Sequence, residues 1–213
     1  MKRVLLILVS LLVLCGSAYA VDTDEPRFYG SVSPMFVIPD ISTGDFKDIG
    51  FDADFTNGYG VDASGGVNLN RHVGIDIDAQ YVTHINANDT VWSYSYSYYY
   101  YMAVPIDVDI DGSGYYVSLG TTIFGDRSKM IAPFLRFSIG SMGIRMKVDA
   151  SLGPYSISDH ASDNALAFSV NPGLIIGASR RGRLKGIFGV EYVVGRGDLD
   201  DVRYFAVKCG VAF

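Results

Sequence analysis

Between Arg27 and Phe213 apolar residues fall at alternate positions in eight separate stretches. The last is the plainest. Phe205, Val207, Cys209, Val211 and Phe213 share one face, and Tyr204, Ala206, Lys208, Gly210 and Ala212 share the other. A period of two is that of a strand. The same reading gives strands over Arg27–Ile38, Tyr59–Leu69, Val73–His84, Tyr115–Phe124, from about Met130, Asn164–Ala178 and Leu184–Val194. Short turns join them at Asn70–His72, Gly125–Lys129 and Ser179–Arg183. Longer polar segments lie between, at Pro39–Gly58, Ile85 to about Gly114, Asp149–Asp163 and Gly195–Asp201. Short and long connections alternate strictly, so an even-stranded meander would carry all its long loops at one end. In the fifth strand Ile131, Leu135, Phe137 and Ile139 face out. Beyond Gly140–Gly143 the apolar set becomes Ile144, Met146 and Val148. A β-bulge, or the strand leaving the lipid, accounts for such a switch.

The face opposite the apolar one is made of Gly, Ser, Asn and Asp. Those residues suit a crowded interior and make a poor coat against water. A lipocalin-like soluble barrel shares the strand number and the alternation. The composition of the second face, the segregated loops, and Tyr and Phe gathered near strand ends favour a membrane barrel. The expected fold is all-β: an eight-stranded antiparallel up-and-down transmembrane β-barrel.

Residues 1–20 have a different logic. Lys2 and Arg3 precede an apolar run, Val4–Leu14, and Ala18-Tyr19-Ala20 supplies a small-x-small cleavage site. The run is too short to span a bilayer, and its flanks are those of a secretory signal peptide. Cys15 invites a lipoprotein reading, but Leu14 before it is not small. Residues 21–213 then form the barrel domain. Losing Lys2 and Arg3 takes the formal charge from −6 to −8, against nucleic-acid binding, which needs a basic surface. Hydrophobic residues reach 49% without a long apolar run after the signal, which excludes helical spans. Cys209 alone remains, so no intramolecular disulfide or thiolate metal cluster is expected.

On the inward parity stand Asp62, Asp76, Asp78 and Glu191 with Arg136 and Lys208. Eight strands enclose just enough space for side chains, and buried charges need partners. These six are expected to form a polar plug in which Glu191 pairs with Lys208; a gated conductance for small solutes is the alternative use. Asp107-x-Asp109-x-Asp111-Gly112 begins like a calcium loop, but Ser118 stands where a bidentate Glu is needed, and neither a metal nor a cofactor is implied. Trp92, Tyr94, Tyr96, Tyr98 and Tyr100 form an aromatic run read as a hairpin above the membrane. Its rigid rings with polar tips suit an external protein or glycan ligand, and equally suit an aromatic girdle. The histidines are scattered, and the chain is read as non-catalytic.

From Arg27 to Phe213 the chain resembles the small outer-membrane barrels of the OmpA transmembrane-domain and OmpX type. The resemblance rests on the strand pattern and on the terminal Phe213 with alternating apolar residues upstream. It implies a Gram-negative outer membrane, contact with lipid and lipopolysaccharide, and a C-terminal strand read by the barrel assembly machinery. It places both termini in the periplasm and the long loops outside. Some small barrels deacylate lipid A with an H-x-S element, which His160-Ala161-Ser162 matches, but no acid follows at a comparable spacing. A wall-tethering role is not implied, since the chain stops at the last barrel strand.

Overall fold

The computed structural model describes residues 28–41, 55–97, 100–127, 129–177, 184–197 and 202–213, without the side chains of residues 93–102. The signal peptide expected over residues 1–20, most of the first long segment and the Ser179–Arg183 turn lie outside the described residues.

Eight strands run in chain order: β1 (Phe28–Ile41), β2 (Gly58–Asn68), β3 (Val73–Ser97), β4 (Tyr100–Phe124), β5 (Ile131–Leu152), β6 (Tyr155–Gly177), β7 (Lys185–Arg196) and β8 (Val202–Ala212). Each pairs antiparallel with its sequence neighbour, and β8 returns to β1 to close the barrel. Closure removes the sheet edges that alternating strands would otherwise leave unpaired. Phe213 exchanges two backbone hydrogen bonds with Gly30, at 2.9 and 3.0 Å. The outward parity is exposed and apolar nearly all round, including Val32, Val61, Ile77, Val117, Phe137, Val170, Phe188 and Val211. Cys209 is also exposed on this face.

Two segments expected as long loops are mostly strand, and the hairpin expected around residues 92–100 is the tip of the first. The β3–β4 ladder continues from Ile85↔Gly112 to Ser97↔Tyr100, and the β5–β6 ladder from Lys147↔His160 to Leu152↔Tyr155. Their polar residues suggested loops because the alternation inverts its chemistry. In β4, buried Ile110 and half-buried Ile106 and Val108 keep the inward parity, while exposed Asp107, Asp109 and Asp111 face out. Such a sheet belongs in water rather than lipid.

The parity switch in β5 has the same origin. Its register against both neighbours is unbroken from Phe134 to Ser151, so there is no bulge at Gly140–Gly143. Met142, Ile144 and Met146 continue the inward face of Arg136 and Ser138, and the strand leaves the lipid-facing band. The irregularity lies in β3, between Val82 and Ile85, where His84 adopts φ 62°. There the strand gains one residue relative to β4.

Strand lengths divide the barrel. β1, β2, β7 and β8 have 11–14 residues and β3–β6 have 22–25. A tilted span needs about 9–11 residues. Four strands therefore project beyond the closed wall as a twisted sheet. Ala87 and Ile110 are buried on its inner face, with Phe55, Val91, Val108, Met146 and Val148 packed around them. Within the wall the curvature is tight: a Cβ at Gly140 would lie 2.5 Å from the Ser118 Cα and closer still to the Val117 carbonyl oxygen.

Candidate functional site

The lumen is built in two layers. The polar layer gathers all six charged residues expected there. Asp62, Asp76, Asp78, Arg136, Glu191 and Lys208 are each at most 4% exposed. Their strands alternate Gly and Ser with these groups, so the long side chains have room to cross. Lys208 Nζ lies 2.5 Å from both Asp62 Oδ1 and Glu191 Oε2, and 4.0 Å from Asp78 Oδ2. The Glu191–Lys208 pair follows from register, since the two residues face inward on neighbouring strands. Arg136 sits 3.2 Å from both Asp76 Oδ1 and Asp78 Oδ1. The first contact is ionic only, because no hydrogen bond reaches Asp76 Oδ1.

Neutral groups complete the web. Gln80 Nε2 donates to Asp78 and Glu191 at 2.7 and 2.8 Å, and its oxygen accepts from the Tyr204 hydroxyl at 2.9 Å. Tyr29 and Thr122 both donate to Asp76 Oδ2, at 2.7 and 2.5 Å. Ser169 donates to Glu191 Oε1 at 2.5 Å. A Tyr116–Ser138–Ser169 chain continues outward from there. Asp62, Asp78 and Glu191 bring one oxygen each within 4.8 Å of one another. The Lys208 ammonium lies within 4.0 Å of an oxygen of each, so the chain already supplies a cation to the set.

Above this layer the lumen turns apolar. Met35, Val37, Val82, Met142, Ala167, Val193, Val202 and Ala206 are buried together, with Tyr116 and Tyr204 between the two layers. The cavity lined by Val37, Val82, Met142 and Tyr204 is about 30 Å³, room for a water or two. An ion crossing here would lose its hydration with no polar group to replace it. The sequence reading missed this layer, although Met35, Val37, Val82 and Val193 all stand on inward parity. It also left out Tyr29, Gln80, Tyr116, Thr122 and Tyr204, which the same parity points into the lumen.

The projecting sheet holds the surface candidates. Trp92 is 56% exposed. Tyr94, Tyr96 and Tyr100 sit in the β3–β4 ladder opposite Ala103, Tyr101 and Ser97. Their side chains, and Tyr98 altogether, lie outside the described residues. Asp107, Asp109 and Asp111 stand two residues apart on the outer face, which spreads them along the strand instead of wrapping them round an ion. Thr90 donates to Asp107 at 2.9 Å. On β5, Lys147 donates to Asp149 at 2.5 Å. That bond holds the Asp149 carboxyl below the ordinary aspartate range and raises the lysine. His160 and Ser162 are exposed on β6, and no hydrogen bond joins them among the described residues.

β6 pairs with β7 only from Leu166 onward, and all of Tyr155–Asn164 is exposed. Among the described residues its backbone there pairs only with β5 and forms an edge of the sheet. Lys147, Arg145 and the β5 backbone cover the other side through the β5–β6 ladder.

Known proteins agree with this architecture. The model of the outer membrane protein beta-barrel domain matches residues 6–175. Neisserial surface protein A is similar in structure at 13% identity, with a TM-score of 0.55 over 88% of this chain and 96% of that one. Ail, the attachment invasion locus protein of Yersinia pestis, has 17% identity and a TM-score of 0.49 over 88% and 100%. OprG from Pseudomonas aeruginosa has 12% identity and a TM-score of 0.48 over 87% and 95%. At 13% identity the likeness to Neisserial surface protein A is one of fold. No curated protein sequence matches the chain. The domain match covers most of the sequence and agrees with the closed eight-stranded wall, and the chain belongs to the outer-membrane β-barrel protein family.

Proposed function

We propose that this protein is a non-catalytic surface-interaction barrel of the outer membrane, whose projecting β3–β6 sheet meets an external protein or glycan. In this reading both termini are periplasmic, the sheet stands outside the cell among lipopolysaccharide, and the strand ending at Phe213 is the assembly signal. The observation that carries it is the asymmetry of the wall: four strands run roughly twice as long as lipid thickness requires. Their far halves are paired, with an apolar inner face on β3–β5, and end at β6, whose Tyr155–Asn164 stretch is exposed throughout. An open edge accepts an extended segment through main-chain hydrogen bonds, with alternate side chains supplying selectivity.

The filled lumen supports contact rather than conduction. A gated channel has to open two barriers of opposite chemistry, the ion-paired layer and the apolar layer above it. A lipid-modifying site at His160 lacks support, because its ring and the Ser162 hydroxyl stand side by side on an exposed strand with no acid linked to both.

The test replaces residues 87–110 and 147–160 with Asn-Gly turns, leaving the wall intact. Folding is checked by the mobility difference between unboiled and boiled samples on a gel. Wild-type protein in outer-membrane vesicles is expected to bind members of a glycan array or a phage-displayed extended-peptide library, and the shortened barrel to lose those binders. Equal binding by both proteins, or steady ion currents through the wild type in planar bilayers, overturns the reading.

A further inference from the structure

A sheet that is apolar on one face ordinarily buries that face against a second layer. The projecting β3–β6 sheet has no such layer among the described residues. Its inner face follows from the ladders. One row crosses the four strands as Asp89, Val108, Ala150 and Ile157, and the next row toward the wall as Ala87, Ile110, Val148 and Asp159. Phe55 packs over Ala87 and Ile110 at the β3 side. Toward β6 the face stays open: Tyr155 and Ile157 are each 75% exposed, and Leu152 is 39% exposed. At its base Ile85, Gly112 and Met146 border the small cavity of the apolar layer, so lumen and sheet share one apolar surface.

The acids of this face stand at its margins. Asp159 and Asp163 project from β6 on the inward parity and are exposed, and half-buried Asp89 projects from β3 on the far side. Each of the two β6 carboxylates accepts from the backbone amide of the following residue at 2.7 Å, and no ion pair joins either to a cation among the described residues. The cations of these strands, Arg145 and Lys147, are on the opposite face, in the ladder with Ser162 and His160. The inward positions of residues 85–91, 106–112, 144–152 and 155–163 include no Lys or Arg. Apolar side chains thus run along β4 and β5, with negative charge on both flanks.

We propose that this face is the docking site for a cationic amphipathic helix of an external protein or peptide. The apolar stripe of the helix lies on β4 and β5, and its lysines or arginines lie toward Asp159, Asp163 and Asp89. The proposal rests on the surface-interaction reading and gives it a partner. A face, unlike an edge, offers no main-chain groups to a ligand. A strand lying on it leaves its own backbone unpaired, whereas a helix satisfies its backbone internally. The dimensions agree. Three strand spacings of about 4.8 Å separate β3 from β6, against a helix diameter of about 10–12 Å. From Asp163 to Tyr155 the face runs about 26 Å at about 3.3 Å per residue, the length of about 18 helical residues.

The experiment uses the folded protein in nanodiscs of phosphatidylcholine, with the signal of empty nanodiscs subtracted. The probe is a fluorescein-labelled synthetic helix of about 18 residues, with a leucine stripe flanked by lysines. Saturable binding is expected by anisotropy. Asp159→Asn with Asp163→Asn is expected to weaken it about fivefold, and Ile157→Ser about tenfold. Asp107→Asn with Asp109→Asn removes the same charge from the outer face and is expected to leave binding nearly unchanged, since the sheet and a Debye length of about 8 Å separate those acids from the helix. Asp159→Lys with Asp163→Lys is expected to reject this helix and to accept its counterpart with glutamates in place of the lysines. The substituted residues are exposed, and gel mobility verifies the folding of each variant. Absence of saturable binding to the wild type, which a face already filled from within the chain would give, overturns the proposal. Equal weakening by the inner and outer pairs overturns it as well. Should the helix fail to bind while the shortened barrel still loses its glycan or extended-peptide binders, the surface-interaction reading stands and the helix site alone falls.

Discussion

Replacing Lys208 with Met tests whether the lumen web holds the barrel together. Among the described residues the ammonium is the only cation within 4.0 Å of both Asp62 and Glu191, and its side chain is 5% exposed. Methionine has similar length and no charge, so packing is nearly kept while the carboxylates of Asp62 and Glu191 lose their cation and Asp78 keeps only Arg136. Breaking a buried pair by removing one partner costs about 3–5 kcal/mol, whereas an exposed pair is worth about 1 kcal/mol or less. Lys208→Met is therefore expected to destabilise by about 3 kcal/mol or more. Asp62→Asn, Glu191→Gln and Lys208→Met combined should recover most of the loss, because the two carboxylates that lost their cation are gone and Asp76 and Asp78 keep Arg136. The assay is urea-induced unfolding in lipid vesicles, with the folded fraction read from gel mobility. A Lys208→Met protein within about 1 kcal/mol of wild type would refute the reasoning, as would a triple variant no more stable than the single one.

Two further outcomes follow from local geometry. His84 at φ 62° occupies a region that disfavours a side chain by roughly 1 kcal/mol, so His84→Gly is expected to raise the urea midpoint and His84→Val to lower it. Asp149 should show a carbon-13 titration midpoint below the ordinary aspartate range, returning to it in Lys147→Ala. Because that carboxyl is depressed in the folded protein, its contribution is present at neutral pH. It is lost only as pH falls through the lowered value.

Within the wall, the alternation alone was enough to place the charged residues. A closed eight-stranded barrel has one inside, and period two assigns each residue to it or to lipid, so Glu191 and Lys208 had to meet across β7 and β8. Beyond the wall the same period persisted while its meaning reversed. Asp107, Asp109 and Asp111 were legible as outward, yet the segments around them looked like loops because polar residues dominate an extramembrane strand. Tyr155–Asn164 was the hardest stretch: every residue there is exposed, so burial left no trace in its composition. The bulge at Val82–Ile85 was also hidden, since His84 carries no signal for positive φ comparable to that of a glycine. The apolar upper layer of the lumen is legible in the same parity, because Met35, Val37 and Val193 stand on the inward face.

The unequal strands also set a distance. From Leu166, where β7 stops accompanying it, β6 runs to Tyr155. At about 3.3 Å per residue and a tilt of about 40°, that stretch rises roughly 25–30 Å above the shorter side of the rim. Its backbone hydrogen bonds to β5 hold that height without slack, so the segment behaves as a mast and not as a tether. A flexible loop of equal length would average its tip over a wide volume and would have to surrender that freedom on every encounter. The mast has given it up in folding. Whatever it meets is presented with an already ordered strand, standing clear of the membrane surface and facing one side.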